Sequence, residues 1–133
     1  METNKVVLRY LDGRVLKGIT QNFFPNKDRF HLFPAEKNSP APLEVLIRDL
    51  KAVFIVRDFT GDPGFTERKN FNAGEKTFGK KIEVCFLDGE VMVGSTMGYD
   101  LKRQGFFVFP ADPKSNNIKA YVISASLRSV RTI

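Results

Sequence analysis

The chain has 133 residues, a net charge of +6, 42% apolar residues, thirteen phenylalanines, one cysteine and one histidine. One cysteine excludes an intrachain disulfide, and one cysteine with one histidine excludes a conventional zinc site of four such ligands. No apolar run approaches the roughly 18 residues of a membrane helix, so no membrane is expected as a partner.

The lone Cys85 fits a reducing compartment, and Arg9 breaks the apolar run Val6-Val7-Leu8, which denies the opening segment a signal-peptide core. Cytoplasmic localisation is the expectation. Cations exceed anions by four in residues 1–57, by none in 58–80 and by two in 81–133, with acids interleaved throughout. That balance permits nucleic acid as a partner, and it equally describes a mixed solvated surface.

In chain order, residues 5–10 read as a strand with Val6, Leu8 and Tyr10 on one face and Val7, Arg9 and Leu11 on the other. Asp12-Gly13 then reads as a two-residue hairpin turn, which puts Tyr10 opposite Val15 and Leu8 opposite Lys17. Gly18 interrupts the second strand, the signal of a bend or a close backbone approach. A loop at 21–28 leads to a third strand at 29–34, ended by Pro34, which cannot donate to a ladder. After a loop at 36–42 come strands at about 43–48 and 51–57, separated by the polar turn Arg48-Asp49. Residues 52–56 are apolar on both faces, so either the second half of the chain or the segment 58–80 is expected to cover Phe54 and Val56.

Residues 58–80 carry four glycines, balanced charge and the spaced Phe65, Phe71 and Phe78, and read as a linker pinned down by those rings. A connection of that length suggests partial order or a functional loop.

From residue 81 the chain repeats itself. Residues 5–39 align with 81–115 at a constant offset of 76, with 12 identities in 35 positions. Leu11, Asp12, Gly13, Gly18, Phe30, Phe33 and Pro34 recur as Leu87, Asp88, Gly89, Gly94, Phe106, Phe109 and Pro110. At offset 77 Leu50 and Val53 recur as Leu127 and Val130. A repeat of this kind fixes the architecture before any single motif does. The same elements follow: a strand with Ile82, Val84 and Phe86 on the shared face, a turn putting Phe86 opposite Val91 and Val84 opposite Val93, a loop at 97–105, and strands at 105–110, 118–124 and 128–132. The shared faces should form the core, and the faces that differ, such as Val7 against Glu83, should be surface or interface. The expected fold class is therefore all-β: an internal duplication of two five-stranded barrels, residues 1–57 and 81–133, packed as a pseudo-dimer around linker 58–80.

The strand order and glycine placement resemble Sm-like small barrels. In the second copy Gly94 is followed at that family's spacings by Tyr99-Asp100, and Gln104 stands where its RNA-contacting Asn would be. In the first copy Gly18 is followed by Phe23-Phe24, with Asp28 at the Asn position. The bacterial RNA-chaperone branch has Tyr-Lys-His before its last strand, where this chain has Leu46-Ile47-Arg48 and Ile123-Ser124-Ala125. The resemblance implies the small-barrel topology, and RNA contact where its motif residues match. The phrases at 50–54, 56–59 and 105–112 are also similar to those of uncharacterised bacterial tandem proteins, which implies no chemistry. The Arg-x-x-x-Arg pair of PilZ receptors is missing, because Arg128 and Arg131 are only three apart.

No phosphate loop, nucleophile triad or carboxylate pair emerges, so neither an enzyme nor a cofactor is expected. Asp12 and Asp88 are accounted for by their turns, and His31, aligned with Phe107, reads as a partly buried structural residue. The leading expectation is a non-catalytic interaction or adaptor module for a protein partner, with a homo-oligomer open. The alternative is RNA or DNA binding through the basic loops after each second strand. Candidate contact residues are Lys27, Arg29, Lys102 and Arg103, cations near aromatic rings; His31 and Phe107, which face away from the core-facing Phe30 and Phe106 and are candidates for exposed stacking; and Tyr99, Asp100 and Gln104, which the Sm-like resemblance implies.

Overall fold

The structure, a computed structural model, describes residues 3–35, 42–61 and 63–133. The expected loop at 36–42 thus lies almost wholly outside the described residues. Ten strands form: β1 (Asn4–Tyr10), β2 (Val15–Thr20), β3 (Arg29–Pro34), β4 (Leu43–Leu46), β5 (Leu50–Val56), β6 (Lys80–Phe86), β7 (Val91–Thr96), β8 (Gly105–Pro110), β9 (Asn117–Ile123) and β10 (Leu127–Thr132). One 3₁₀ turn, Ile47–Asp49 or Ser124–Ser126, separates the last two strands of each half.

All pairings are antiparallel, and the strands make one open sheet in the order β10-β6-β7-β8-β9-β5-β1-β2-β3-β4. Two closed barrels do not form. The reason lies in β5, whose two edges are taken by β1 and by β9 of the other half, so that β4 is left as one free edge and β10 as the other. The pairing within the two halves corresponds residue for residue: Gly18 faces Pro34 as Gly94 faces Pro110, and Leu8 faces Val53 as Val84 faces Val130.

Both hairpins differ from the expected register by one residue. Arg9, not Tyr10, stands opposite Val15, and Cys85 opposite Val91. Gly13 N–H donates to Tyr10 C=O at 3.1 Å and Tyr10 N–H donates to Arg14 C=O at 2.9 Å. The loop therefore has three residues, Leu11-Asp12-Gly13, with Gly13 at φ +94° in the left-handed position of a glycine bulge. Asp12 Oδ1 accepts from Arg14 N–H at 3.0 Å, and Asp88 Oδ1 from Glu90 N–H at the same distance, which fixes both loops. An Asp-Gly pair serves the two-residue and the three-residue loop alike, so the dipeptide alone does not set the register.

The bends at Gly18 and Gly94 come from close approach. A Cβ there would lie 2.4 Å from Phe33 O or 2.3 Å from Phe109 O, on the backbone of the neighbouring strand. Only glycine lets β2 cross β3, and β7 cross β8, at that separation.

Two cores result. One gathers Val6, Leu8, Phe30, Leu32 and Val45 of the first half with Tyr121 and Ile123 of β9. The other gathers Ile82, Val84, Phe86, Phe106 and Val108 of the second half with Ala52, Phe54 and Val56 of β5. β5 and β9 thus each present one face to the other half's core, and Phe54 and Val56 are covered by the second half, as their two-faced apolarity requires.

Candidate functional site

The β5–β9 ladder brings the loops that follow β2 and β7 side by side. Gln104 Nε2 donates to Pro25 O at 3.2 Å and to Lys27 O at 2.9 Å. Tyr121 Oη donates to Pro25 O at 3.3 Å. Each loop is anchored by the same bond to its own half, Ile47 N–H to Asp28 O and Ser124 N–H to Gln104 O, both at 2.9 Å.

Above this junction lie two adjoining depressions of about 520 and 460 Å³ that share Pro25, Arg103, Gly105 and Tyr121. A line of rings runs beneath them. Tyr121 packs edge-on against Phe23 at 5.4 Å and against Phe107 at 5.1 Å, and Lys119 Nζ lies 4.4 Å from the Phe107 centroid. Burial pushes the Tyr121 phenol above its ordinary value, so it stays a neutral donor. At Gly105 a Cβ would sit 2.4 Å from Val122 O and 2.7 Å from the Tyr121 ring, so glycine brings the β8 backbone down onto that ring. Met97, Tyr99 and Phe109 line the second-half end with exposed side chains, and Leu101 is exposed beside them on the same loop.

Of the residues singled out from sequence, Lys27, Tyr99, Asp100, Arg103, Gln104 and Phe107 line this groove. Lys102 stands exposed on the same turn, its N–H bonded to Asp100 Oδ1 at 2.9 Å. Arg29 and His31 lie elsewhere, on the outward face of β3. Arg29 is held by Asp28 at 3.1 Å and Glu44 at 3.3 Å, and its hydrogen bond draws the Asp28 carboxyl below its ordinary value. His31 is exposed, as expected from its facing away from Phe30 and against its reading as partly buried, because odd-numbered residues of β3 face solvent; its Nδ1 lies 3.0 Å from Asn22 Nδ2. Gln104 is a strut between the loops, its amide donating to two backbone carbonyls. Phe107 has one side taken by Tyr121 and Lys119 and is only half exposed. Among the described residues Lys27, Lys102 and Arg103 form no ion pair.

Sequence reasoning missed Tyr121, Lys119 and Gly105. The signal was present: at offset 77 Tyr121 replaces Glu44, an exchange of an exposed charge for a ring that marks the β4-type strand with neighbours on both edges.

A second cluster also joins the halves. Lys51, 5% exposed on β5, donates to Asp88 Oδ2 at 2.6 Å and to Glu90, with its Nζ 4.7 Å from the Phe86 centroid. Arg9 of β1 binds Glu90 at 2.9 Å. The Lys51 hydrogen bond lowers the Asp88 carboxyl; Glu90, which burial pushes up, is drawn lower overall by its bonds to Lys51 and Arg9.

The linker is a strap with its own contacts. Arg68 N–H donates to Asp112 Oδ2 at 2.9 Å, Arg68 pairs with Glu75 at 2.6 Å, and Ser115 Oγ donates to Glu67 at 2.6 Å. The rings do not pin it evenly: Phe71 is half-buried under Lys81, whereas Phe78 is 89% exposed.

The class defined by this fold is an all-β protein on one open, ten-stranded antiparallel sheet. Within it, the chain belongs to a family of unknown function, DUF6982, whose model matches residues 2–133. No curated protein matches the chain, and no solved structure matches it.

Proposed function

We propose that the chain is a non-catalytic interaction module, two copies of one Sm-like five-stranded unit, that grips a protein partner in the groove at their junction. The carrying observation is the composition of that groove. Exposed Met97, Tyr99 and Phe109 line it together with Arg103, over a floor in which Tyr121 and Phe107 pack edge to face. Aromatic residues, methionine and arginine are the types enriched at the centres of protein interfaces, and a floor fixed in advance reduces the ordering cost of binding.

The nucleic-acid reading rests on a different observation, the absence of ion pairs at Lys27, Lys102 and Arg103. It is the weaker of the two because two acids, Asp100 and the Arg29-bound Asp28, interrupt the cations along the same groove. A phosphate track calls for an uncompensated run of positive charge.

The experiment compares wild type with Met97→Ser/Phe109→Ser and with Lys27→Glu/Lys102→Glu in capture from the native host and in titration with a mixed single-stranded RNA pool. The protein-partner reading predicts a discrete captured protein that the apolar double variant loses and the charge variant keeps. RNA binding that survives Met97→Ser/Phe109→Ser, weakens steeply between about 50 and 200 mM salt and disappears in the charge variant would replace it. The equilibrium melts of both variants should match wild type, since all four side chains are exposed.

A further inference from the structure

The halves also enclose a cleft on the side away from the loop groove. It holds about 640 Å³, within the range of small-molecule sites. Phe54, Val56 and Ala120 form its floor, and Val7, Met92 and Val93 its walls. The strap supplies one rim through residues 67–70, and Phe59 closes the end near Lys17.

The charges on the rim are unequal in their engagement. Glu90 is bound by Arg9 and Lys51, Glu67 accepts from Ser115 Oγ, and Arg68 is paired with Glu75. One lining cation remains without a carboxylate partner among the described residues. Lys17 Nζ donates to Phe59 O at 2.9 Å and forms no ion pair among the described residues. Lys69, by contrast, pairs with Glu67 at 3.9 Å.

An apolar interior with an available cation beside it, Lys17, has a definite complement. The geometry points to a binding site for a small amphiphile with an apolar body and one anionic head, the body lying on Phe54, Val56 and Met92 and the head meeting Lys17. The site is independent of the groove that carries the proposed partner interaction. Carboxylate and phosphate heads share the chemistry that Lys17 would recognise, and the ligand series separates them.

The test is isothermal titration of the full chain with dodecanoate, dodecyl phosphate, dodecan-1-ol and dodecylammonium. Both anions should bind about tenfold or more tightly than the alcohol, the cation should not bind, and the tighter anion identifies the head. Lys17→Met keeps the apolar stem and should bring the anions down to the affinity of the alcohol. Val93→Phe, which fills the cleft, should abolish binding, and Phe109→Ser in the groove should leave it unchanged. Lys17 is exposed, so its variant remains informative even if Val93→Phe does not fold. Equal affinity for alcohol and anion, indifference to Lys17→Met, or no binding of dodecanoate up to ~1 mM would overturn the assignment.

Discussion

At the scale of the residue, the glycines separate geometry from habit. Gly94 has a carbonyl oxygen 2.3 Å from where a Cβ would lie, whereas Gly98, a few residues on, has nothing within 4 Å. Gly94→Ala must push β7 away from β8 and should cost about 3 kcal/mol in denaturant unfolding, the upper part of the overpacking range. Gly98→Ala should stay within about 0.5 kcal/mol of wild type. Equal losses would mean that the bend does not depend on close approach. Lys51 offers a second test. Asp88 and Glu90 have lowered carboxyl values in the folded state, so their pairing with Lys51 and Arg9 stabilises above the unfolded carboxylate values and is lost as pH falls through the folded ones. The melting temperature should therefore drop on acidification below about pH 4. Lys51→Met should flatten that drop while changing stability at pH 7 by no more than about 1 kcal/mol, because an apolar side chain of similar size can replace a buried cation.

At the scale of the element, the same two strand positions are used in opposite ways. Val7 faces Phe54 across β1 and β5, and Glu83 faces Arg131 across β6 and β10. The first pair is covered by the other half; the second is an ion pair at 2.8 Å on the surface. On the β9 side, Tyr121 lies in the first core, and its counterpart Glu44 on β4 is exposed and bound to Arg29. The join is thus made once, and each free edge carries a charge where the join carries a ring. β4 is also short and preceded by Pro42, which cannot donate. Charges and proline are the ordinary protection of a strand edge. Arg131→Phe combined with Glu44→Tyr should let β10 of one molecule meet β4 of the next, a head-to-tail contact that does not close on itself. Sedimentation should show concentration-dependent species for the double variant and a monomer for wild type; a double variant that stays monomeric would count against the edge account.

At the scale of the whole molecule, the halves were legible in the sequence and their junction only partly so. Periodicity and recurring turn glycines located every strand, because those signals are local. The covering of Phe54 and Val56 followed from a run apolar on both faces. The hairpin register escaped because Asp-Gly fits loops of two and three residues. The open sheet escaped because pairing of β5 with β9 is non-local and leaves no motif. Tyr121 left a trace in its exchange with Glu44, but its place between Phe23 and Phe107 exists only after that pairing. Both proposed binding surfaces, the loop groove and the cleft above Phe54, depend on it too.

The β5–β9 junction is therefore the claim on which the rest stands, and amide hydrogen exchange of the intact chain tests it most directly. In wild type, residues 52–56 of β5, hydrogen-bonded on both edges, should exchange only through global unfolding, while residues 128–132 of β10, an edge strand in the same position of its half, should exchange faster by at least about tenfold. Equal exchange in the two strands would contradict the junction, and with it both surfaces built upon it.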